Sequence, residues 1–181
     1  MIAMQTLMEA LPHVLAAPKD RSTVRQLTFR PGYNQRRHPD RLTLTRAEGV
    51  PGERWLTAPW LRLPDGRPDP DIQISILPAR VLDLVRQSGD QPHPGDTIIA
   101  DLETSTANLP EGAVLQVGTA RLRVSGLFNE GCVKWKVRYG ADARAWTELP
   151  GHPELRLRGI LCAVVQDGEV ATGDPITVLS R

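Results

Sequence analysis

The chain has 181 residues, 40% hydrophobic and 24% charged, which suits one domain with a sizeable core and would crowd two. Its 22 Lys and Arg against 21 Asp and Glu leave no global field to recruit nucleic acid or a membrane surface. Eight aromatics are too few for a single-strand stacking platform, while 16 prolines and 15 glycines point to short elements, many turns and a mainly β fold with a few short helices.

Residues 4 to 16 suggest a short helix with Leu7, Met8, Leu11 and Leu15 on one side, although Pro12 should kink or end it. No basic residue precedes Lys19, so the charged start of a secretory signal is missing. No stretch approaches the ~20 apolar residues of a membrane span. A cytoplasmic protein is the expectation, with residues 1–21 as an N-terminal helical extension and 22–181 as the domain proper. Thr23 to Phe29 alternates loosely and opens the first strand. Arg30 to Arg41 is a loop by composition, and its Arg36, Arg37, His38 and Arg41 form a basic patch that suits either a solvated loop or an anion site.

Leu63 to Pro68 reads as a loop with a turn at Asp65-Gly66. Ile72, Ile74 and Ile76 alternate with Gln73 and Ser75, giving a strand whose isoleucines face the core. Pro78 to Ser88 predicts a helix with Leu82 and Val85 inward, Arg80, Asp83 and Arg86 outward, and Gly89 at its end. Leu115 and Val117 lead into Gly118-Thr119, and Ala120, Leu122 and Val124 return, as in a two-residue hairpin. Asp167-Gly168, between Ala163-Val164-Val165 and Val170, gives the strongest hairpin signal in the chain. Pro175 to Leu179 supplies a last strand.

Cys132 is the candidate catalytic residue. It follows Gly131 and is trailed by Lys134, Lys136 and Arg138, cations that favour a thiolate. A thiolate can carry sulfur as a persulfide or ligate a soft metal. The competing reading makes Cys132 a small apolar residue beside a solvated charged strip. Cys162 lies in the apolar run Gly159 to Val165 and reads as core; no Cys132–Cys162 bridge is expected.

The stretch after Cys132 is ambiguous. Val133, Trp135, Val137 and Tyr139 alternate with cations, which says strand. A helix would instead set Lys134 and Arg138 on one face, four residues apart. Further on, a strand would put Arg156 and Arg158 on the face of Ile160 and Cys162, where they would meet either carboxylates or a ligand. The histidines His13, His38, His93 and His152 each neighbour a proline and show no zinc-site spacing. G-x-S-x-G, Walker and G-x-G-x-x-G motifs are absent.

Taken in order, several segments resemble the MOSC domain, named for the C-terminal part of molybdenum cofactor sulfurases. They are Gly49-Val50-Pro51-Gly52-Glu53-Arg54-Trp55, Gln73 to Leu77 followed by a helix, Pro94-Gly95-Asp96, Asn108 to Gly112, Asn129-Glu130-Gly131-Cys132, Arg156 to Ile160 and Gly173 to Ile176. Two positions depart from that pattern: Glu53 stands where an Asp is usual, and Glu130 separates Asn129 from Gly131-Cys132. The resemblance implies a single domain built as a partly open β-barrel, and a helical turn after Cys132.

It also implies binding of the molybdenum cofactor (molybdopterin), with Cys132 as persulfide carrier or molybdenum ligand. Arg54, Asn129, Lys134, Arg138 and Arg158 would be the cofactor-binding residues. Two activities are implied: sulfur transfer, or molybdenum-dependent reduction of N-hydroxylated compounds. The partner would be a sulfur-donor desulfurase or an electron-transfer protein. Pyridoxal phosphate is not expected, because its lysine belongs to a separate domain of full-length sulfurases. The alternative, from another class, is a non-catalytic module that binds a small anion and keeps its cysteine for structure.

Overall fold

Alternate aliphatic residues build the fold. Val24 and Leu27 of β1 (Ser22–Leu27), Ile98 and Ala100 of β4 (Ile98–Ala100), and Ile74 and Ile76 of β3 (Ile74–Pro78) all point into one core. They are joined there by residues of β7 (Ile160–Gln166), β6 (Ala120–Val124), β5 (Val114–Val117) and β9 (Pro175–Ser180). In this computed structural model, which describes residues 1–181, the strands form a closed barrel in the order β1-β4-β3-β7-β6-β5-β9. β9 returns to β1 through Ser22 and Thr23, which completes the ring, so the barrel is closed where a partly open one was expected. Only β3 and β4 run parallel, and the crossover that this requires carries helix α3 (Ala79–Val85). The fold is mainly β in a single domain, as the composition suggested. No helix is long and apolar enough to cross a membrane.

A second core covers the outside of β3 and β4. Leu77 and Ile99 pack there against α1 (Met4–Leu15), α3, α4 (Val133–Tyr139) and α5 (Ala141–Glu148), with Trp135, Tyr139 and Trp146 buried among them, while the one-turn helix α2 (Arg54–Thr57) buries Trp55 in a small separate cluster. Helix α1 runs through Pro12, whose missing N–H would have served only the carbonyl of exposed Met8. Of the four apolar residues expected on one side, Leu7 is buried and Leu11 and Leu15 are half-buried, whereas Met8 is exposed; Val14 is the other buried side chain. Helix α3 is shorter than its sequence suggests. It stops at Arg86, whose guanidinium caps the following loop at the carbonyls of Gln91 and Gly89.

The Asp167-Gly168 hairpin does not form. β8 (Gly168–Ala171) follows β7 directly but pairs with β2 (Arg41–Leu44) in a separate two-stranded ribbon. Asp167 accepts hydrogen bonds from the backbone N–H and Nε of Arg46 instead of starting a turn. The glycine serves close approach: a Cβ on Gly168 would lie 2.5 Å from the backbone of Thr119 and Ala120. The other hairpin, β5–β6, forms as expected, with Gly118 at φ +56° in its turn.

Candidate functional site

Helix α4 resolves the ambiguity after Cys132. As a strand, it would have put two valines and two aromatics on one face. As a helix it buries Trp135 and Tyr139, four residues apart, and leaves Val133 and Val137 68% and 74% exposed. The indole N–H of Trp135 donates to the Ala143 carbonyl at 3.2 Å, and the Tyr139 hydroxyl to the Pro92 carbonyl at 2.7 Å. These two anchors fix the rotation of the helix and turn Lys134 and Arg138 toward a pocket. Cys132 is the N-cap: its carbonyl accepts from the N–H groups of Trp135 and Lys136, while its exposed thiol makes no capping bond. Cys162, in contrast, is sealed in the barrel core, where burial pushes its thiol up to about 12.

Six cations converge here. A small pocket of about 110 Å³ has Cys132 in its wall, together with Arg30, Arg36, Arg54, Lys134, Arg138 and Arg158. Two of these cations have carboxylate partners. Glu53, fully buried, accepts from the backbone N–H, Nε and terminal nitrogen of Arg30 at 2.9, 3.0 and 2.7 Å. Burial works most strongly against the Arg30 charge, but the Glu53 hydrogen bonds together with the negative charges of Glu53 and Asp96 outweigh it and hold its pKa above the ordinary value. Arg158, its side chain 12% exposed, donates to Asp96 at 2.8 Å and lies 4.6 Å over the Trp135 ring.

Arg36, Arg54, Lys134 and Arg138 have no carboxylate partner. Arg138 donates to the Pro94 carbonyl, and the Lys134 ammonium sits 4.2 Å over the Tyr33 ring. The Nε of Arg36 is buried without any partner, and burial together with nearby Arg138 lowers its pKa. The Nε of Arg158 is likewise buried and unpaired. Unspent donors of this kind in a cationic pocket call for an anion.

Cys132 also lines a chamber of about 770 Å³ that shares Arg30, Arg54, Lys134 and Arg158 with the small pocket. Its remaining wall is largely apolar, with Trp55, Trp60, Ile72, Phe128 and Val133. The thiol therefore borders both a small cationic recess and a larger one whose wall is part cationic and part apolar, with Glu130 its one carboxylate.

Residues 67–177 match the MOSC domain. The chain belongs to the MOSC domain family. That family is known for binding the molybdenum cofactor. Among solved structures, the chain is similar to the YuaD protein of Bacillus subtilis, with TM-score 0.57, 20% identity, and coverage of 88% of this chain and 96% of that one. It is also similar to YiiM of Escherichia coli, with TM-score 0.57, 19% identity, and coverage of 89% and 70%. A third structure, titled only as a hypothetical protein, has TM-score 0.59, 19% identity and coverage of 90% and 70%. These likenesses establish the shared fold. No curated protein matches the chain.

Within this MOSC barrel, the residues singled out from sequence come together. Cys132, Arg54, Lys134 and Arg158 line both recesses and Arg138 the smaller one. Asn129 lines the larger chamber, and its amide donates to the Arg158 carbonyl at 3.1 Å, so it positions the segment that carries that arginine. Arg156 does not join Arg158. Both precede β7, and Arg156 takes a left-handed conformation (φ 49°) that sends its guanidinium to the Leu109 carbonyl. The two arginines expected on one strand face are thus corrected to one at the site and one buried away from it, bonded to the Leu109 carbonyl.

Sequence reasoning missed Arg30, Asp96 as the partner of Arg158, and the aromatic wall at Trp60 and Phe128. Arg36 was visible as part of a basic patch, but its neighbours disperse. Arg41 pairs with Glu169 on the surface, and His38 Nδ1 lies 2.7 Å from the Gln26 amide nitrogen. Glu53 clamps Arg30.

His93, buried beside the site, accepts from the Gly95 N–H through Nδ1 and leaves Nε2 without a partner. Burial holds its pKa down at about 4, with His38, Arg86 and Arg36 adding to the effect and Asp96 opposing it. The folded state therefore resists a proton that the unfolded chain accepts near ~6.5. The stability this contributes is present above pH ~6.5 and is lost as pH falls toward 4, by up to about 3 kcal/mol in total. Urea midpoints measured between pH 7 and 4 should fall over that window. In His93→Asn, which keeps an acceptor for Gly95, the fall should be clearly shallower.

Proposed function

We propose that this MOSC protein binds the molybdenum cofactor, with the anionic end of the cofactor among Arg36, Arg54, Lys134 and Arg138, and Cys132 supplying the sulfur next to the metal. One observation carries this reading: an exposed thiol shares a pocket with four cations that have no carboxylate of their own. Phosphate and dithiolene groups suit these donors, because guanidinium forks match phosphate oxygens and a thiolate suits a soft metal. When bound, the cofactor supplies a metal able to exchange electrons with a substrate. The chain's own residues bind and orient it. Glu53 fixes Arg30, whose carbonyl accepts from the Arg54 N–H at 3.1 Å, and Trp135 and Asp96 hold Arg158 in place.

Of the two chemistries open to such a site, reduction of N-hydroxylated compounds fits better. A sulfur relay needs little more than an accessible thiol, whereas an organic substrate needs room, and the larger chamber supplies it beside Cys132. The net reaction converts N–OH to N–H, consumes two electrons and two protons, and releases water. The electrons would come from an electron-transfer partner. Sulfur transfer from a desulfurase is the second reading, favoured by the freedom of the Cys132 thiol from any capping bond.

The test is molybdenum content per chain after purification from cells that make the cofactor. Wild type should retain molybdenum. The double variant Arg36→Gln/Arg138→Gln gives up two charged contacts, about 3 kcal/mol together, and should retain at least about tenfold less at limiting cofactor. Wild type free of molybdenum would overturn the reading.

A further inference from the structure

Three large apolar side chains stay in solvent around a single opening. Trp60 is 65% exposed, Phe128 41% and Val133 68%, and all three line the larger chamber, which Cys132 borders together with the small pocket. Exposed apolar surface is ordinary when scattered, but gathered on the wall of a concave recess it marks a binding site. The floor beneath is rigid: Trp55 and Ile72 are buried against Leu161, and the Trp55 indole donates to the Asp69 carbonyl at 3.1 Å.

The recess is polarised. Arg30, Arg54, Lys134 and Arg158, which also line the small pocket, mark the Cys132 end, while Ala58, Pro59, Trp60 and Phe128 contribute no charge; Glu130 is the one carboxylate in the lining, so cations outnumber anions there four to one. A volume near 770 Å³ lies within the range of sites for small organic ligands.

We infer that the chamber is the substrate subsite, and that it takes a flat aromatic compound with its acceptor-rich polar edge turned toward Cys132 and its ring between Trp60 and Phe128. The match is by charge: the cations face the electron-rich edge, and the uncharged aromatic wall faces the ring. As a statement about substrate, this rests on the reading of Cys132 as the reacting centre. As a statement about binding it stands alone, which allows the two to fail separately.

Two fluorescent probes test it on the full chain, prepared with and without molybdenum. N-phenyl-1-naphthylamine offers a neutral aromatic body, and 8-anilino-1-naphthalenesulfonate the same kind of body with an anionic edge. Both should bind saturably to either preparation, with the sulfonate at least threefold tighter in the molybdenum-free protein. Trp60→Ala should weaken both at least tenfold while leaving the melting temperature and the molybdenum content at wild-type values. Phe128→Ala should act in the same direction.

Absence of saturable binding overturns the inference, as does indifference to Trp60→Ala or Phe128→Ala, or a sulfonate bound no tighter than the neutral probe. Loss of binding on cofactor loading also overturns it, since the chamber would then hold the cofactor itself. An apparent affinity that weakens as protein concentration rises overturns it too, by showing that a second copy of the chain covers the recess. Trp60-dependent binding in a wild type that never acquires molybdenum leaves the aromatic subsite standing and sinks the cofactor reading instead.

Discussion

Replacing Cys132 by serine should lower the proposed reduction of N-hydroxylated compounds by at least about 10³-fold, because a hydroxyl at neutral pH is neither a nucleophile nor a soft-metal ligand of comparable strength. The fold should not suffer. Cys132 is an exposed N-cap without a capping side-chain bond, and serine is a preferred residue there, so stability should stay level or rise by up to about 1 kcal/mol. That separation of effects makes the variant informative. Molybdenum content then divides the two chemistries. If the Cys132 sulfur is a metal ligand, Cys132→Ser should lose molybdenum along with turnover. If it is a sulfur carrier, the variant should keep its metal through the surrounding cations and fail to take up labelled sulfur. A serine variant with wild-type turnover would leave Cys132 without a role in either.

Gly159→Ala should be the most damaging single methyl group in the chain. Gly159 stands at φ +88°, and a Cβ there would fall 2.2 Å from the Ile76 carbonyl oxygen and 2.9 Å from the Leu77 Cα. Both neighbours are backbone atoms of β3, locked between β4 and β7, so neither can step aside. Overpacking combined with a disfavoured backbone conformation should cost about 4 kcal/mol, a fall in Tm of roughly 10 °C for a domain of this size. Because Gly159 directly follows Arg158, the shift should also loosen the Arg158–Asp96 pair and weaken cofactor retention. Gly151→Ala is the control: its φ is +82° but no atom lies within 4 Å of the added carbon, so only the conformational cost of about 1 kcal/mol remains. Thermal melts of the two variants measure the difference. A Gly159→Ala protein as stable as Gly151→Ala would contradict the packing argument.

Much of the barrel was legible because its signal is local. The alternation of Leu115, Val117, Ala120, Leu122 and Val124 around Gly118-Thr119 encodes both strands and the turn between them, and the β5–β6 pair forms as written. The Asp167-Gly168 dipeptide carries the same local signal and misleads. What decides there is the backbone of Thr119 and Ala120, distant in sequence, pressing against Gly168. The helix after Cys132 shows the same limit. Period two among Val133, Trp135, Val137 and Tyr139 favours a strand. The buried slots waiting for Trp135 and Tyr139 in the second core override it, and only the family resemblance pointed the right way.

The site divides along the same line. Sequence by itself determined that one thiol follows a glycine and is trailed by cations, that the ordered segments resemble those of a MOSC domain, and that positive and negative charges nearly balance over the chain. It could not show which cations would reach the thiol. Arg30 with Arg36, Arg54, and Arg158 come from three separate segments of the chain, and only closure of the barrel with α4 packed outside it brings them to Cys132. Nor could it show which of them would be neutralised, since the Glu53 and Asp96 pairings span 23 and 62 positions. Charge and periodicity are properties of neighbours in the chain. An unpaired guanidinium is a property of neighbours in space, and tertiary structure alone decides which carboxylates arrive.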